Sequence, residues 1–232
     1  MARYRPAVVF RRSITELLTE QSDPARLARR KVQKRDSVLN SLSVAAINPM
    51  KLKGPWIDGY VLDFHSISST PTGDPYHPFD TKRTELGELV YRLKYRVDAG
   101  ALADIVQIAG EFVKKWNPPV ECIVPAPPSL QRKSQPVVEI TRELAKYLDL
   151  ITCENAVAKV HTTPQMKNVP VWERQETLQE AIQPGHEVVE GKSLLLFDDL
   201  IESGSTLRRT AEVLMKDRGA ASIYALVLTR TR

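Results

Sequence analysis

The chain has 232 residues, of which 42% are apolar, 26% charged and 6% aromatic, and its formal net charge is +5. This length suits one large α/β domain with an extension, and the ordinary apolar content excludes wholesale disorder and a coiled coil. Every apolar run is shorter than ten residues, so the sequence predicts no membrane-spanning helix, and its start does not resemble a secretory signal. Two cysteines are too few for a disulfide scaffold or a four-thiolate zinc site. We therefore expect a reduced, cytoplasmic protein.

Positive charge is concentrated in the first part of the chain. Residues 1–57 hold twelve Lys/Arg and four Asp/Glu, whereas residues 58–232 hold 21 and 24. The densest part runs from Arg26 to Arg35 and contains six basic side chains. Such a cluster can bind nucleic acid by neutralising phosphates. It is more typical of a solvated helix, or of a tail that docks on a partner subunit, because no aromatic residue lies within it to stack on bases.

Between this basic N-terminal extension and residue 120, the pattern predicts one strand, one loop and two helices. In chain order they are a strand at 60–67, a loop at 69–78, and helices with apolar faces at 86–93 and 102–113. Alternating apolar residues indicate the strand, and a high density of Pro, Gly, Ser and Thr indicates the loop. Apolar side chains at every third or fourth position indicate the two helices.

From residue 121 onward, short apolar strands alternate with helices. The strands are expected at 121–126, 156–160, 193–197 and 223–228, and helices are expected after Ser134 and from Gly204. Apolar strands separated by helices indicate a parallel sheet that is covered on both faces. A polar stretch, His161–Gln175, has no periodicity and predicts a long loop. The sequence therefore predicts an α/β fold with a mainly parallel central sheet flanked by helices.

The most informative segment is LLLFDDLIESGSTL, residues 194–207. A buried strand is expected to deliver two carboxylates, Asp198 and Asp199, at its carboxyl end, which is where open α/β sheets bind ligands. The residues that then begin a helix are Ser203, Gly204, Ser205 and Thr206. Backbone N–H groups, hydroxyls and the helix dipole can hold a phosphate there, and glycine permits a close approach of the backbone. A phosphate pocket beside two acceptors for vicinal hydroxyls describes a site for a ribose 5′-phosphate.

These residues resemble the signature of the type I phosphoribosyltransferases, which bind phosphoribosyl pyrophosphate (PRPP). That signature is four apolar residues, two acidic residues, a short spacer and a Thr/Ser-Gly-X-Thr loop. The resemblance implies a Rossmann-like fold in which Asp198 and Asp199 hold the ribose 2′ and 3′ hydroxyls and residues 203–206 hold the 5′-phosphate. Many members have Thr where Glu202 stands, and purine-salvage members have an aspartate that faces the base. Glu202 is therefore a catalytic candidate that accepts a proton from the acceptor, and the alternative is an acid that points to solvent.

A second stretch, residues 123–148, looks like the first strand and pyrophosphate loop of the ComF-type competence phosphoribosyltransferases. The resemblance implies that Arg132 and Lys133 hold pyrophosphate, and the alternative is two solvated loop cations. Residues 162–175 resemble the spaced Gln and Arg of the same proteins and imply a mobile lid. The lid candidates are Lys167 and Arg174. Two cysteines cannot build the zinc ribbon with which ComF-type proteins often begin, and the basic extension replaces it.

The resemblance implies that a nucleobase or related nitrogen acceptor displaces pyrophosphate from PRPP. Mg²⁺ would bridge pyrophosphate and the ribose hydroxyls, with no protein ligand assigned to it. We expect residues 58–232 to form this domain, with the insertion at 66–80 recognising the base and a homodimer implied by the superfamily. The alternative is a non-catalytic sensor of PRPP or a nucleotide, or a ComF-like protein associated with DNA uptake. Such a protein would bind nucleic acid or a partner through residues 1–57.

Overall fold

The apolar and amphipathic segments become strands and helices over the residues that the computed structural model describes, 47–128, 135–159 and 181–232. The strands are β1 (Met50–Lys51), β2 (Asp58–Phe64), β3 (Ser66–Pro71), β4 (Phe79–Arg83), β5 (Cys122–Pro125), β6 (Ile151–Thr152), β7 (Val157–Lys159), β8 (Ile182–Pro184), β9 (Ser193–Ile201) and β10 (Ser222–Arg230). The helices that lie wholly in these ranges are α1 (Glu85–Arg96), α2 (Ala99–Trp116), α3 (Pro136–Leu148) and α4 (Ser205–Lys216). The predictions for residues 1–46, Arg132, Lys133, Lys167 and Arg174 lie outside the described ranges.

Six strands form the central sheet, in the order β1-β2-β10-β9-β5-β6. Five neighbouring strands run parallel to one another, namely β2, β10, β9, β5 and β6. The outer strand β1 runs antiparallel to β2. In the middle of the sheet, Val227 of β10 lies opposite Val61 of β2 on one side and Asp198 of β9 on the other. The predicted α/β fold with a mainly parallel sheet is therefore confirmed.

Helices cover both faces of the sheet because alternate strand residues point to opposite sides. Leu194 and Leu196 of β9 pack in one buried cluster with Leu207 of α4. On the other face, the ring of Tyr60 in β2 meets the ring of Phe112 in α2 edge to face, with 5.2 Å between centroids. Helices α1 and α3 also contact the sheet. Burial on both faces explains why the strand sequences are apolar without interruption.

Helix α1 is fixed against the carboxyl end of β2. The hydroxyl of Thr84 accepts a hydrogen bond from the N–H of Gly87 at 3.0 Å and so caps the helix. The same hydroxyl donates to the carbonyl of Phe64 at 2.6 Å. A Cβ at Gly87 would overlap the carbonyl oxygen of His65, so glycine allows the helix to begin this close to the strand. This attachment determines where the later turns of α1 lie.

Two parts of the fold differ from the sequence predictions. The expected loop at 69–78 is partly strand, because β3 pairs antiparallel with β4 to form a separate hairpin. Both strands of this hairpin are largely exposed, so no apolar alternation marks them. The strand expected at 156–160 does not join the central sheet, because β7 pairs antiparallel with β8. The strand beside β5 is instead β6, whose two residues are too few to show a period.

The central sheet also includes residues upstream of 58, since Met50 and Lys51 pair with β2. All described residues lie in one compact unit, 42–232. Within the described ranges, none of the helices has the length and hydropathy needed to cross a bilayer.

Candidate functional site

Asp198 and Asp199, the acid pair, lie inside the last part of strand β9 and not in the loop that follows it. The expected strand ended at Phe197, but β9 continues to Ile201 because β10 pairs with it as far as Arg230. The N–H of Thr231 then donates to the carbonyl of Ile201 at 3.0 Å. Asp198 and Asp199 are therefore held by the sheet itself, which fixes their backbone positions.

The turn between β9 and α4 is only three residues long, Glu202 to Gly204. Gly204 precedes the helix with a φ of 74°, a left-handed conformation that favours glycine. The hydroxyls of Ser203 and Ser205 lie 2.9 Å apart, and Arg208 donates to the carbonyl of Ser203 at 2.9 Å. Gly204 has no side chain to cap the first turn of α4. The N–H of Ser205 donates to the hydroxyl of Ser203 at 3.3 Å, and the start of the helix beyond it can bind an anion. The turn is therefore compact and has the chemistry of a phosphate cradle.

Lys94 of α1 reaches across to the acid pair. Its Nζ lies 2.9 Å from Oδ1 of Asp199, with exposed side-chain fractions of 17% and 11% for the two residues. A mostly buried ion pair of this length is screened little by solvent. Lys94 therefore partly neutralises the acid pair in the described structure.

Asp198 has the more strongly perturbed carboxyl of the pair. Burial, and next the charge of Asp199, raise the pKa of Asp198 to about 7, against the effects of its backbone hydrogen bonds and of Lys94. The N–H of Asp199 donates to Oδ1 of Asp198 at 2.8 Å. The negative charge of Asp199 disfavours a second negative charge on Asp198. When it is protonated, Asp198 can donate as well as accept a hydrogen bond.

Thr229 of β10 links the acid pair to His65. Its hydroxyl donates to the backbone carbonyl of Asp199 at 3.1 Å and lies 3.2 Å from Nδ1 of His65. Because the hydroxyl has one proton and the carbonyl can only accept, Nδ1 of His65 must donate to Thr229. Burial, followed by the charges of Lys94 and Arg83, lowers the pKa of His65. His65 is therefore neutral at pH 7 with its lone pair on Nε2.

The remaining predicted site residues fall into two groups. Glu202 is exposed at the start of the turn after β9, a position compatible with either alternative for its role. The predictions for Arg132, Lys133, Lys167 and Arg174 lie outside the described residues. Strand β5, which leads to the first two of these, lies next to β9, and the N–H of Ala126 donates to the carbonyl of Phe197 at 2.7 Å.

The β3–β4 hairpin follows the carboxyl end of β2. It therefore leaves the sheet at the same end as the turn after β9, because β2 and β9 both run parallel to β10. Nε of Arg232 donates to the carbonyl of Ser66 at 3.1 Å, and its guanidinium lies 4.6 Å from the ring centroid of Phe64. The end of the described chain is thereby attached to the base of the hairpin. The expected recognition of a base by residues 66–80 stays a prediction.

The donor set at this edge suits a metal ion that is shared with a substrate. Carboxylate oxygens are ligands that Mg²⁺ prefers. Over the ranges that the structure describes, however, no three or more His, Cys, Asp or Glu side chains are grouped so that they could hold a metal. The acid pair therefore fits a cation that takes most of its ligands from the substrate and water.

The sequence alone favours a structural role for His65 and assigns no site role to the other two members of this network, Lys94 and Thr229. Thr229 and His65 are near the acid pair only through the strand order, which the sequence did not give. A signal for Lys94 was present, since position 94 continues the row that Leu86 and Val90 begin at intervals of four on the buried face of α1. An ionisable residue on an apolar helix face is a candidate for a buried ion pair.

One family model matches part of the chain. Residues 138–232 match the model of the phosphoribosyl transferase domain, and none of the curated proteins matches the sequence. Among solved structures, a hypoxanthine phosphoribosyltransferase from Staphylococcus aureus is 19% identical with a TM-score of 0.36, and the match covers 56% of this chain and 62% of that one.

Two further solved structures match with similar scores. For an adenine phosphoribosyltransferase from Leishmania donovani the identity is 10%, the TM-score 0.38, and the coverage 79% of this chain and 86% of that one. The glutamine PRPP amidotransferase from B. subtilis, complexed with ADP and GMP, is 15% identical with a TM-score of 0.41. That match covers 65% of this chain and 34% of that one. The family match covers the acid pair, the turn after it and helix α4.

Proposed function

We propose that this protein binds PRPP at the carboxyl end of β9 and transfers its phosphoribosyl group to a nucleobase or related nitrogen acceptor. One observation carries the proposal: an acid pair lies in the last part of a buried strand, and a three-residue turn with a left-handed glycine leads from that strand directly into α4. Strand, turn and helix lie within the residues that match the phosphoribosyl transferase domain.

The 5′-phosphate of PRPP would bind at the start of α4. The first N–H groups of a helix have no partners within it, and the helix dipole favours an anion there. The hydroxyls of Ser203, Ser205 and Thr206 add donors, and Gly204 lets the backbone approach the phosphate. Asp198 and Asp199, on the adjoining end of β9, would hold the ribose 2′ and 3′ hydroxyls. This arrangement fixes both ends of the sugar relative to the sheet.

The reaction would form a bond from the acceptor nitrogen to C1′ while the bond from C1′ to the pyrophosphate oxygen breaks. Pyrophosphate leaves with the bonding electrons, and the proton of the acceptor nitrogen passes to the carboxylate of Glu202. Arg132 and Lys133 would hold the leaving group, and Lys167 and Arg174 would close over it. Mg²⁺ that enters with PRPP would supply positive charge to screen the developing charge on the leaving group. Positioning and electrostatics would provide most of the rate enhancement.

A second candidate function is a non-catalytic sensor of PRPP or a nucleotide, related to the ComF-type proteins. Its support is the charge distribution, since twelve of the 33 Lys/Arg residues lie in residues 1–57 and would suit nucleic acid or an acidic partner. A sensor would need the same binding site but not the turnover.

Release of pyrophosphate separates the two functions. Wild-type protein, Asp199→Asn and the control Asp104→Asn, which changes an exposed aspartate of α2, are incubated with PRPP, Mg²⁺ and a panel of nucleobases. A transferase predicts acceptor-dependent release by wild type and the control, and at least ~100-fold less release by Asp199→Asn. Binding of PRPP without release for any acceptor would contradict the transferase and support the sensor.

A further inference from the structure

We propose that Lys94 is the resident counter-ion of the acid pair and that it keeps free divalent cations away from Asp198 and Asp199. In this arrangement a metal ion would reach the carboxylates only with a substrate that brings additional oxygen ligands. The identity of that substrate rests on the proposed function, but the competition between Lys94 and a cation does not.

The position of Lys94 is built into the fold. Thr84 and Gly87 fix the first turn of α1 against the end of β2. Lys94 lies in the last turns of the same helix and places Nζ 2.9 Å from Oδ1 of Asp199. The ammonium is only 17% exposed and the carboxylate 11%. The ion pair is therefore set by helix packing and is not a chance contact of flexible surface side chains.

The charges of Asp198 and Asp199 would otherwise attract a cation. The buried carboxylate of Asp199 carries a negative charge beside Asp198, and a divalent cation would offset that charge more effectively than water does. Lys94 supplies one positive charge at an oxygen that the cation would need. A metal ion that entered would have to displace the ammonium or lie within a few ångströms of it.

The described residues around the acid pair provide few further ligands for such an ion. In the part of the chain that the structure describes, there is no cluster of three or more His, Cys, Asp or Glu side chains suited to a metal. Mg²⁺ and Mn²⁺ favour six oxygen ligands and would find at most the acid pair and water. A substrate with a diol and a diphosphate would add the missing oxygens. Lys94 therefore makes cation binding depend on the substrate.

Titration with Mn²⁺ alone tests this inference. Electron paramagnetic resonance measures free and bound Mn²⁺ in the absence of PRPP for wild type, Lys94→Met and Lys94→Gln. The glutamine variant is included because it can keep a hydrogen bond to Asp199 and so serves if the methionine variant does not fold. Lys115→Met is the matched control, because Lys115 is an exposed lysine of α2 and the substitution removes the same charge. Lys94→Arg keeps the charge in place.

We expect the neutral Lys94 variants to bind Mn²⁺ at least tenfold more tightly than wild type, Lys94→Arg and Lys115→Met. Adding Asp199→Asn to Lys94→Met should abolish the gain. Equal affinity in the neutral variants and wild type would overturn the inference, as would wild-type binding of one Mn²⁺ that Asp199→Asn loses. A separate titration with PRPP and Mg²⁺ tests the proposed function. If wild type did not bind PRPP, that function would fail while the comparison of Mn²⁺ affinities still stood.

Discussion

At the scale of single residues, the site is a network of polar contacts in which each side chain holds its neighbour in position. Lys94 holds the carboxylate of Asp199, Thr229 holds the backbone carbonyl of Asp199, and His65 donates to Thr229. Buried polar groups need such partners, because an unpaired one costs about 1–3 kcal/mol. The network therefore fixes protonation states as well as positions, and both are measurable.

The protonation of Asp198 makes the stability of the fold depend on pH. Its pKa is raised from 3.8 in the unfolded chain to about 7 in the folded protein. The folded state thus retains a proton that the unfolded chain releases in this window, so the free energy of unfolding falls as pH rises from about 4 to 7. Above pH 7 both states are ionised and the full cost of burying the charge remains.

Asp198→Asn should remove this cost while keeping an acceptor for the N–H of Asp199. We expect the variant to be ~2–4 kcal/mol more stable than wild type at pH 8 and equally stable near pH 4. Urea unfolding at both pH values measures the difference, with Asp104→Asn as a control that should show none. A stability gain that is the same at pH 4 and pH 8 would contradict the raised pKa.

Thr229 can be tested through the tautomer of His65. Nitrogen-15 NMR at pH 8 should show the proton of His65 on Nδ1 in wild type and in Thr229→Ser, which keeps the hydroxyl. Thr229→Val removes the partner of both His65 and the Asp199 carbonyl, so we expect a loss of ~1–3 kcal/mol in stability and a mixture of tautomers. A proton on Nε2 in the wild-type protein would refute the proposed direction of the hydrogen bond.

At the scale of elements, the turn after β9 depends on one left-handed glycine. Gly204→Ala meets no steric obstacle, since a Cβ would approach only Arg208 at 3.6 Å. The strain of its φ alone should cost about 1 kcal/mol and should turn the N–H groups of α4 away from a bound phosphate. Gly73→Ala is a matched control, because Gly73 has a φ of 79° and no neighbour within 4 Å.

We expect thermal unfolding to show a similar small loss of stability for Gly204→Ala and Gly73→Ala. Only Gly204→Ala should weaken the binding of PRPP, by about tenfold or more, as measured by calorimetry. Equal PRPP affinity in the two variants would mean that the start of α4 does not hold the phosphate.

The attachment of α1 to β2 depends on the close approach of Gly87 to the end of the strand. In Gly87→Ala the new Cβ would overlap the carbonyl oxygen of His65, so the first turn of α1 must move. We expect a loss of more than ~2 kcal/mol in stability, and in addition tighter Mn²⁺ binding, because Lys94 would move with the helix. Gly100→Ala in α2 is the control, because its Cβ would lie 3.2 Å from a side-chain atom, Oδ1 of Asp98, which can move by the few tenths of an ångström needed, and it would meet no backbone atom. Unchanged stability in Gly87→Ala would show that α1 is not held by this contact.

Local sequence predicted the acid pair and the turn because all of their determinants lie within residues 194–207. It could not predict Lys94, which is 105 residues from Asp199 along the chain, without the packing of α1 on the sheet. Strands β1 and β6 have two residues each and carry no period. The β3–β4 hairpin is exposed, so nothing in its pattern separates strand from loop.

At the scale of the whole molecule, the strand order explains how distant segments meet. Strand β10 lies between β2 and β9, so the carboxyl ends of these three parallel strands bring His65, Thr229 and the acid pair to one edge. The hairpin from residue 66, helix α1 and the turn into α4 all leave the sheet at that edge or pack against it. Ligands of open α/β sheets bind at the carboxyl ends of the strands, where this network lies.

The most direct test of the central claim is calorimetric titration of PRPP with Mg²⁺ into wild type and into Asp198→Asn/Asp199→Asn. Circular dichroism establishes that both proteins are folded. The account predicts one PRPP bound per wild-type chain and loss of binding, at least ~100-fold, in the double variant, because the ribose hydroxyls lose both carboxylates. Absence of PRPP binding by folded wild type, or equal binding by the double variant, would contradict a PRPP site at the end of β9.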